Sequence, residues 1–495
     1  MDKDMTTIAG QQKETIKTTP ILISFLIAGF IGLFSETALN MALGDLIQQF
    51  GVGSSTIQWL TTGYLLTLGI LVPVSGLLLQ WFSTRQLFIA ALAFSVTGTL
   101  IAALAPSFSI LMVARVIQAI GTGLLLPLMF NTILLIFPIH RRGAIMGLMG
   151  LVIMFAPAIG PTISGFLIEN LSWHWIFWVS LPFLVFALIF GIMFMQNVSV
   201  ITKPKIDITS IVLSSLGFGG IVYGFSTAGE SGWGSFIVIA SIAVGFVSLF
   251  LFSIRQFKMD QPMINLRVFK YPMFTLGLAA VFIAFMVILS SAILLPLYLQ
   301  TGLGLAAVTA GLILLPGGVL NGLMSPITGR IYDKYGPRGL VIPGFSIIII
   351  TLWNLSGVTT GTTAVAIVVL NTLLMVGVSL VMMPAQTNAL NQLPKDLYPD
   401  GTALMNTLQQ VSGAIGTAVA ITIMSSTQST YMQTVSDPNS ASAIPEALTA
   451  GVQNAFTFGL VLAVIGLVIS FFIKSVHLAP EKARSARVID VLDKT

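Results

Sequence analysis

The chain has 495 residues, of which 56% are hydrophobic and only 8% are charged, and it contains no cysteine. Because soluble domains carry roughly a quarter of charged residues, this composition predicts an integral membrane protein. The missing cysteines exclude disulfides, thiol chemistry and cysteine metal sites. The net charge of +5 does not indicate nucleic-acid binding, which usually shows as a basic patch on a soluble domain.

Apolar runs long enough to cross a bilayer as helices follow one another along the chain, and we count fourteen. The first 19 residues are polar and the run after them is long enough to span, so we expect no cleaved signal peptide. The predicted spans are 20–43, 56–79, 87–105, 109–131, 143–167, 174–194, 207–227, 234–254, 272–298, 306–329, 338–357, 363–387, 402–424 and 455–474. The predicted fold class is therefore an all-α integral membrane protein.

The basic residues give the orientation. If the N-terminus is cytoplasmic, 21 of the 22 Lys and Arg residues fall in cytoplasmic loops or tails, and none falls in an outer loop. This is the positive-inside pattern, and it predicts that both termini lie on the cytoplasmic side of the membrane. The outer loops hold acidic residues instead, namely Asp45, Glu169, Glu230, Asp437 and Glu446.

Two charges lie inside predicted spans. Glu36 lies in FSETALNMALG of span 1, and Arg115 lies in LMVARVIQAIGTG of span 4. Helix rise places both about 10 Å below the outer surface, so pairing, directly or through water, would reduce the cost of burying either one. Ionisable residues inside a membrane are usually functional, which favours proton coupling by Glu36 and Arg115. The alternative is a fixed pair that holds spans 1 and 4 together.

Polar side chains near these charges keep to one helical face. Glu36 and Asn40 are four residues apart, and Arg115, Gln118 and Thr122 share a face of span 4. Such stripes must face protein or a water-filled cavity rather than lipid. The residues predicted to line a central substrate cavity are Asn40, Trp59, Gln118, Thr122, Met154, Gln386, Asn406, Gln409 and Gln410.

An internal repeat divides the chain. GLLLQWFSTR (76–85) follows span 2, and GRIYDKYGPR (329–338) follows span 10, eight spans later. With spans 7 and 8 set aside, the chain forms two six-span halves, an arrangement typical of transporters with a site at the interface. The predicted units are a tail (1–19), an N-terminal half (20–200), an inserted helix pair (201–260), a C-terminal half (261–475) and a second tail (476–495).

The motifs together resemble the major facilitator superfamily, in its fourteen-span drug:proton antiporter branch of the QacA/EmrB type. The resemblance implies a location in the cell membrane of a bacterium. GRIYDKYGPR resembles the cytoplasmic loop motif, LMVARVIQAIGTG the span-4 motif and APAIGPTISG (156–165) the span-5 antiporter motif. LSWHWIFWVSLP (171–182) and ETALNMAL resemble the branch's motifs of spans 6 and 1. The first loop departs from the pattern, with Gln80 for the usual Asp, Trp81 for a basic residue and Ser83 for Gly. Span 1 has Ser35 where Asp is usual, and its carboxylate lies one residue later.

The resemblance implies roles for two further sets of residues. The glycines and proline of span 5 would let that helix bend and pack closely, although close packing alone also explains them; they are Gly147, Gly150, Gly160, Pro161 and Gly165. The loop residues would latch the cytoplasmic gate, although an ordinary charged loop would look the same; they are Gly76, Arg85, Gly329, Arg330, Asp333, Gly336 and Arg338.

The predicted function is export of amphipathic, often cationic drugs in exchange for protons, by alternating access, with no cofactor and no metal. The first alternative is export of an endogenous metabolite, lipid or signalling molecule with drugs as incidental cargo; a nutrient symporter is a further one. A membrane enzyme or receptor is disfavoured, since the sequence lacks HExxH, Gly-x-Ser-x-Gly and P-loop motifs. An adaptor protein, as for EmrB-type transporters, stays an open alternative without support in the sequence.

Overall fold

The structure, a computed structural model, describes residues 18–475 apart from residues 53, 58, 200, 205, 436–439 and 441. Every regular element in that part of the chain is a helix. Most of the predicted N-terminal tail, all of the predicted C-terminal tail and the outer acid Asp437 lie outside the described residues.

Fourteen of the described helices are long and apolar enough to cross a membrane, which confirms the predicted fold class. We label them α1–α14 and call the end of the bundle at which α1 begins the inner end. Their bounds are α1 Thr18–Ala38, α2 Trp59–Trp81, α3 Thr84–Ala103, α4 Phe108–Ile136, α5 Ile139–Asn170, α6 His174–Phe194, α7 Ile208–Ser231, α8 Phe236–Lys258, α9 Pro272–Leu297, α10 Ala307–Tyr335, α11 Arg338–Leu355, α12 Ala364–Asn391, α13 Tyr398–Thr434 and α14 Ala443–Phe472.

The largest differences from the predicted spans lie at the outer end. The helix α1 ends at Ala38, passes through a 3₁₀ turn and continues as a short outer helix, Leu43–Phe50. The helices α13 and α14 run well past the predicted span ends, to Thr434 and from Ala443. Hydropathy marks only the segment that lies in lipid, so it does not detect polar helical turns that extend beyond the bilayer.

The helices form two six-helix groups, α1–α6 and α9–α14, which meet along two edges. The helix α5 packs along α10, and α2 packs along α13. The pair α7–α8 packs against both α2 and α13, so it covers that edge from outside. The face of α8 that points away from the bundle is strongly apolar. Phe236, Phe250 and Phe257 on this helix are all more than half exposed, as expected for side chains that face lipid.

Candidate functional site

Arg115 of α4 lies at the centre of the candidate site and is fully buried. Its Nη1 donates to the backbone carbonyl of Ser35 at 2.9 Å and to Gln118 Oε1 at 3.2 Å. Its Nε donates to the carbonyl of Leu60 on α2 at 3.3 Å, and Nη2 to the carbonyl of Glu36 at 3.5 Å. One guanidinium therefore ties α1, α2 and α4 together, which its planar fork of five donors allows.

The ring of Tyr64 on α2 completes the surroundings of Arg115. The guanidinium carbon lies 4.2 Å from the ring centroid, within the range of a cation–π interaction. The Tyr64 hydroxyl donates to Thr122 Oγ1 at 2.9 Å, and Gln118 Nε2 donates to Thr99 Oγ1 of α3 at 2.9 Å. The predicted polar face of α4 is thus a hydrogen-bonded network inside the N-terminal half.

Glu36 lies at the level of Arg115, but its carboxylate is not part of this network. Arg115 contacts the backbone of residue 36, and the carboxylate has no hydrogen-bond or ion-pair partner among the residues that the structure describes. The side chain is only partly buried. A direct salt bridge that fixes spans 1 and 4 is therefore absent from the described contacts.

The other predicted cavity residues are spread over several helices. Trp59, at the outer end of α2, is 41% exposed and its ring lies 5.7 Å from that of Tyr223 on α7, so it contacts the inserted pair. Met154 of α5 packs, partly buried, against the apolar core. The side chain of Asn40 lies outside the described part of the structure. Neither Trp59 nor Met154 joins the Arg115 network in the contacts that the structure describes.

Three polar residues of α12 and α13 that were predicted to line the cavity make few hydrogen bonds among the described residues: Gln386, Gln409 and Asn406. Gln386 is 1% exposed, and neither its Oε1 nor its Nε2 has a partner within the described residues. Gln409 Nε2 is likewise buried without a described partner, whereas Asn406 Nδ2 donates to the carbonyl of Thr402 one turn earlier. Gln410 is partly buried. Buried polar atoms without partners are rare, so the side-chain amide of Gln386 is a candidate contact for a ligand or a water molecule.

The predicted glycines of α5 face two different neighbours. On the inner half of the helix they face the opposite half of the molecule: a Cβ at Gly147 would lie 2.8 Å from Pro326 Cα of α10, and one at Gly150 would lie 2.6 Å from Met383 Cγ of α12. Only a residue without a side chain permits this approach. These two positions pack one half against the other.

Farther out, the same helix packs against α1. A Cβ at Gly160 would collide with Thr37 Oγ1, next to Glu36, whereas one at Gly165 would have Met41 at 3.9 Å as its nearest neighbour. Gly165 is therefore not needed for close packing. The side chain of Pro161 lies outside the described part.

The inner ends of the two halves are closed on each other. Asp333, at the end of α10, accepts the backbone amides of Gly143 and Ala144 at 2.8 Å each, near the start of α5. Gly329, one turn earlier, packs directly on the Gly143 carbonyl. A carboxylate at a helix N-terminus is favoured by the helix dipole and by charge-assisted hydrogen bonds. Asp333 is therefore a contact between the halves, as its motif implies.

Sequence reasoning missed Arg142, which makes the second contact of this closure. Arg142 is 4% exposed, and its Nη1 donates to Asn391 Oδ1 at 2.9 Å and to the Tyr398 hydroxyl at 3.0 Å, both in the other half. Nearby, Asn391 Nδ2 donates to the Tyr332 hydroxyl at 3.2 Å. Arg142 appeared to be an ordinary loop residue because two adjacent arginines at a cytoplasmic helix start fit the positive-inside rule without further function.

Three predicted gate residues do not cross between the halves in the described contacts. Arg85 donates to the carbonyl of Ile192 at the end of α6, at 2.7 Å. Arg338 donates to the carbonyls of Phe471 and Ile473 at the end of α14, at 2.6 and 2.8 Å. Each arginine thus caps the C-terminus of the last helix of its own half, where carbonyls lack helical partners. Arg330 is exposed.

The two predicted gate glycines that remain have structural reasons. Gly336 has φ of +76°, a left-handed conformation that favours glycine and ends α10. Gly76 packs on α13, where a Cβ would lie 3.1 Å from that of Ala403. Gly76 therefore contributes to the inner closure through its backbone, whereas Gly336 only ends its own helix.

Two six-helix halves that are closed on each other at one end, with a buried arginine beside a carboxylate that has no partner among the described residues, are typical of a membrane transporter. The pattern of the Major Facilitator Superfamily matches residues 25–417. The lincomycin resistance protein LmrB of Listeria monocytogenes serovar 1/2a is 68% identical over 465 residues, 94% of this chain and 98% of that protein. The multidrug export protein EmrB of Haemophilus influenzae is 28% identical over 404 residues, 81% of this chain and 79% of that protein.

The crystal structure of the human organic anion transporter MFSD10 shares the fold, with a TM-score of 0.65 at 14% identity over 91% of this chain and 99% of that one. This chain belongs to the major facilitator superfamily. The predicted family, its drug-transporter branch and the assignment as a transporter rather than an enzyme are confirmed.

Proposed function

We propose that this transporter exports lincomycin and other amphipathic drugs from the cell in exchange for protons. The observation that carries the proposal is the free carboxylate of Glu36 beside a guanidinium whose donors are taken by backbone carbonyls and Gln118. The name of the 68% identical relative supports lincomycin as a substrate. The proton partner rests on Glu36 and on the drug:proton antiporter branch.

The exchange of drug for proton depends on whether the Glu36 carboxylate binds a proton or a cationic drug. Burial and the neighbouring Arg115 act in opposite senses on the protonation of Glu36, so a small change in hydration changes its proton occupancy. A cationic drug that approaches Glu36 replaces the proton as the partner of the carboxylate. Because a buried carboxylate needs one partner or the other, proton and drug occupy the site in turn.

We assign the inner end of the bundle to the cytoplasm, with both termini on that side. The concentration of Lys and Arg in the inner loops supports this orientation. The inner closure at Asp333 and Arg142 then separates the site from the cytoplasm, so Glu36 is poised to exchange protons with the outside. Each charge moved gains about 2.3 kcal/mol per 100 mV of membrane potential.

The test uses purified protein in liposomes with a lumenal pH dye. Lincomycin or ethidium is added under an imposed proton gradient, and the native chain is compared with Glu36→Gln. Glu169→Gln is the matched control, because Glu169 is an exposed acid at the outer end of α5. We expect drug-driven proton movement in the native and control proteins and none in Glu36→Gln, with ethidium still bound.

Two results would contradict parts of the proposal. Unchanged coupling in Glu36→Gln would show that another group carries the proton and that Glu36 is structural. No proton response to either drug in the native protein, with an intact fold, would show that the cargo is a different compound. A comparison of metabolites from cells with and without the gene would then identify it.

A further inference from the structure

The two inner loops have equivalent geometry but different chemistry. Gly329 and Asp333 are four residues apart on α10, and both contact α5 near its start. Gly76 and Gln80 have the same spacing on α2. Gly76 packs on the first turns of α13, with the site of a Cβ 3.1 Å from Ala403 Cβ. Residues four apart share a helix face, so position 80 lies on the face of α2 that carries Gly76, as Asp333 lies on the face of α10 that carries Gly329.

The contacts of Gln80 go to the linker between α6 and α7 instead. Its backbone carbonyl accepts the amides of Thr202 at 3.1 Å and Lys203 at 3.2 Å. The indole Nε1 of the next residue, Trp81, donates to the carbonyl of Pro204 at 2.8 Å. The departures from the loop motif at positions 80 and 81 therefore coincide with the place where the linker to the inserted helix pair is bound.

The carboxylate that α13 lacks from across the interface is supplied by its own first turn. Asp400 is 4% exposed, and its Oδ1 accepts the backbone amide of Asn265 at 2.9 Å. Asn265 lies in the linker between α8 and α9. Because a helix N-terminus attracts a carboxylate, both α5 and α13 have one, but only Asp333 comes from the opposite half.

We propose that the inner closure contains one carboxylate latch between the halves, Asp333 near the start of α5, and that Asp400 supplies the second carboxylate from within the C-terminal half. The α2–α13 edge then closes by uncharged packing at Gly76. Position 80 on this edge holds one linker of the inserted pair, and Asp400 holds the other. This inference rests on the alternating access of the proposed function but not on the identity of the drug or on proton coupling.

The test measures closure directly and needs no substrate. Because the native chain has no cysteine, pairs of cysteines can be introduced without other changes. Arg141→Cys with Lys334→Cys reports the α5–α10 edge, and Phe82→Cys with Asp396→Cys reports the α2–α13 edge; all four side chains are exposed. Spin labels and electron paramagnetic resonance then give the closed and open populations in lipid nanodiscs.

We expect Asp333→Asn to raise the open population about threefold or more, and Gln80→Asn to leave it unchanged. Gln80→Asp should also raise the open population, because the new carboxylate meets Asp400. The double variant Gln80→Asp with Asp400→Asn places the carboxylate across the interface, so it should lower the open population below the native level.

Two outcomes would overturn the proposal: an unchanged open population in Asp333→Asn, or equal populations in Gln80→Asp and the double variant. The variants at position 80 leave the α5–α10 contact intact. They therefore test the proposal even when Asp333→Asn fails to fold. If the native protein shows no drug-driven proton movement, the proposed function is refuted, but the open and closed populations still test this inference.

Discussion

Arg115 of α4 binds the backbone carbonyl of Ser35 on α1, 2.9 Å from its Nη1, rather than the carboxylate of the next residue. A carbonyl stays an acceptor whether Glu36 is protonated or ionised. The anchor between α1 and α4 therefore does not depend on the protonation state of Glu36.

We expect Arg115→Lys to lower the rate of drug transport by about tenfold or more, although the charge is kept. One ammonium cannot reach the carbonyls of Ser35 and Leu60 and also Gln118, and each buried acceptor left unpaired costs about 1–3 kcal/mol. Initial transport rates in liposomes, with thermal unfolding in detergent, check this. A native rate in Arg115→Lys would show that charge alone is required.

The ring of Tyr64 should matter more than its hydroxyl. Tyr64→Phe keeps the face beneath the guanidinium, whereas Tyr64→Leu loses a cation–π interaction worth about 0.5–2 kcal/mol. We expect Tyr64→Leu to unfold at a clearly lower temperature than Tyr64→Phe. Thr122→Val is the matched control for the hydroxyl contact. Equal unfolding temperatures for the Phe and Leu variants would contradict a role of the ring.

The close approach of α5 and α10 predicts opposite outcomes for two glycines of one helix. Gly147→Ala should destabilise the protein by about 1–3 kcal/mol and reduce transport, because the new methyl meets Ser325 and Pro326. Gly165→Ala should be neutral, since its nearest neighbour is 3.9 Å away. Thermal unfolding and transport rate are measured for both. Equal effects of the two substitutions would show that glycine is required for the flexibility of α5 and not for its close contact with α10.

Arg142 and Arg141 are adjacent arginines, so they form a matched pair. Arg142→Gln removes hydrogen bonds to Asn391 and Tyr398 across the interface, and we expect it to increase labelling of a cysteine introduced at the inner end and to slow transport. Arg141→Gln should change neither, because Arg141 is exposed. If labelling and transport respond equally in both variants, the effect of Arg142→Gln comes from the lost positive charge and not from the lost hydrogen bonds.

Asp207, before α7, is a candidate for an alternative proton site that the structure disfavours. Hydrogen bonding to the Arg255 guanidinium lowers its pKa from 3.8 to about 2. The stabilisation is present above the unfolded value of 3.8 and is lost as the pH falls towards 2, so the group stays ionised between about pH 5 and 8.

We therefore expect Asp207→Asn to leave the pH dependence of transport unchanged over that range. Transport rates are measured in liposomes at several lumenal pH values, with Asp45→Asn, an exposed outer acid, as the control. A shifted pH profile in Asp207→Asn alone would show that Asp207 takes part in proton transfer.

The sequence by itself determined the membrane class, the fourteen spans and the depth of Glu36 and Arg115. These follow from hydropathy and helix rise, which depend on the chain locally. Polar periodicity also identified Gln118 and Thr122 as neighbours of Arg115, because residues three and four apart share a helix face.

Only the tertiary structure decided which atoms meet. Hydrogen bonds from Arg115 to carbonyls of other helices leave no trace in the sequence, since every residue has a carbonyl. For the same reason, nothing local distinguished Arg142, which crosses between the halves, from Arg85 and Arg338, which cap helices of their own half. Partner choice depends on how the halves dock, and that docking is set by close backbone approach at Gly76, Gly143 and Gly329.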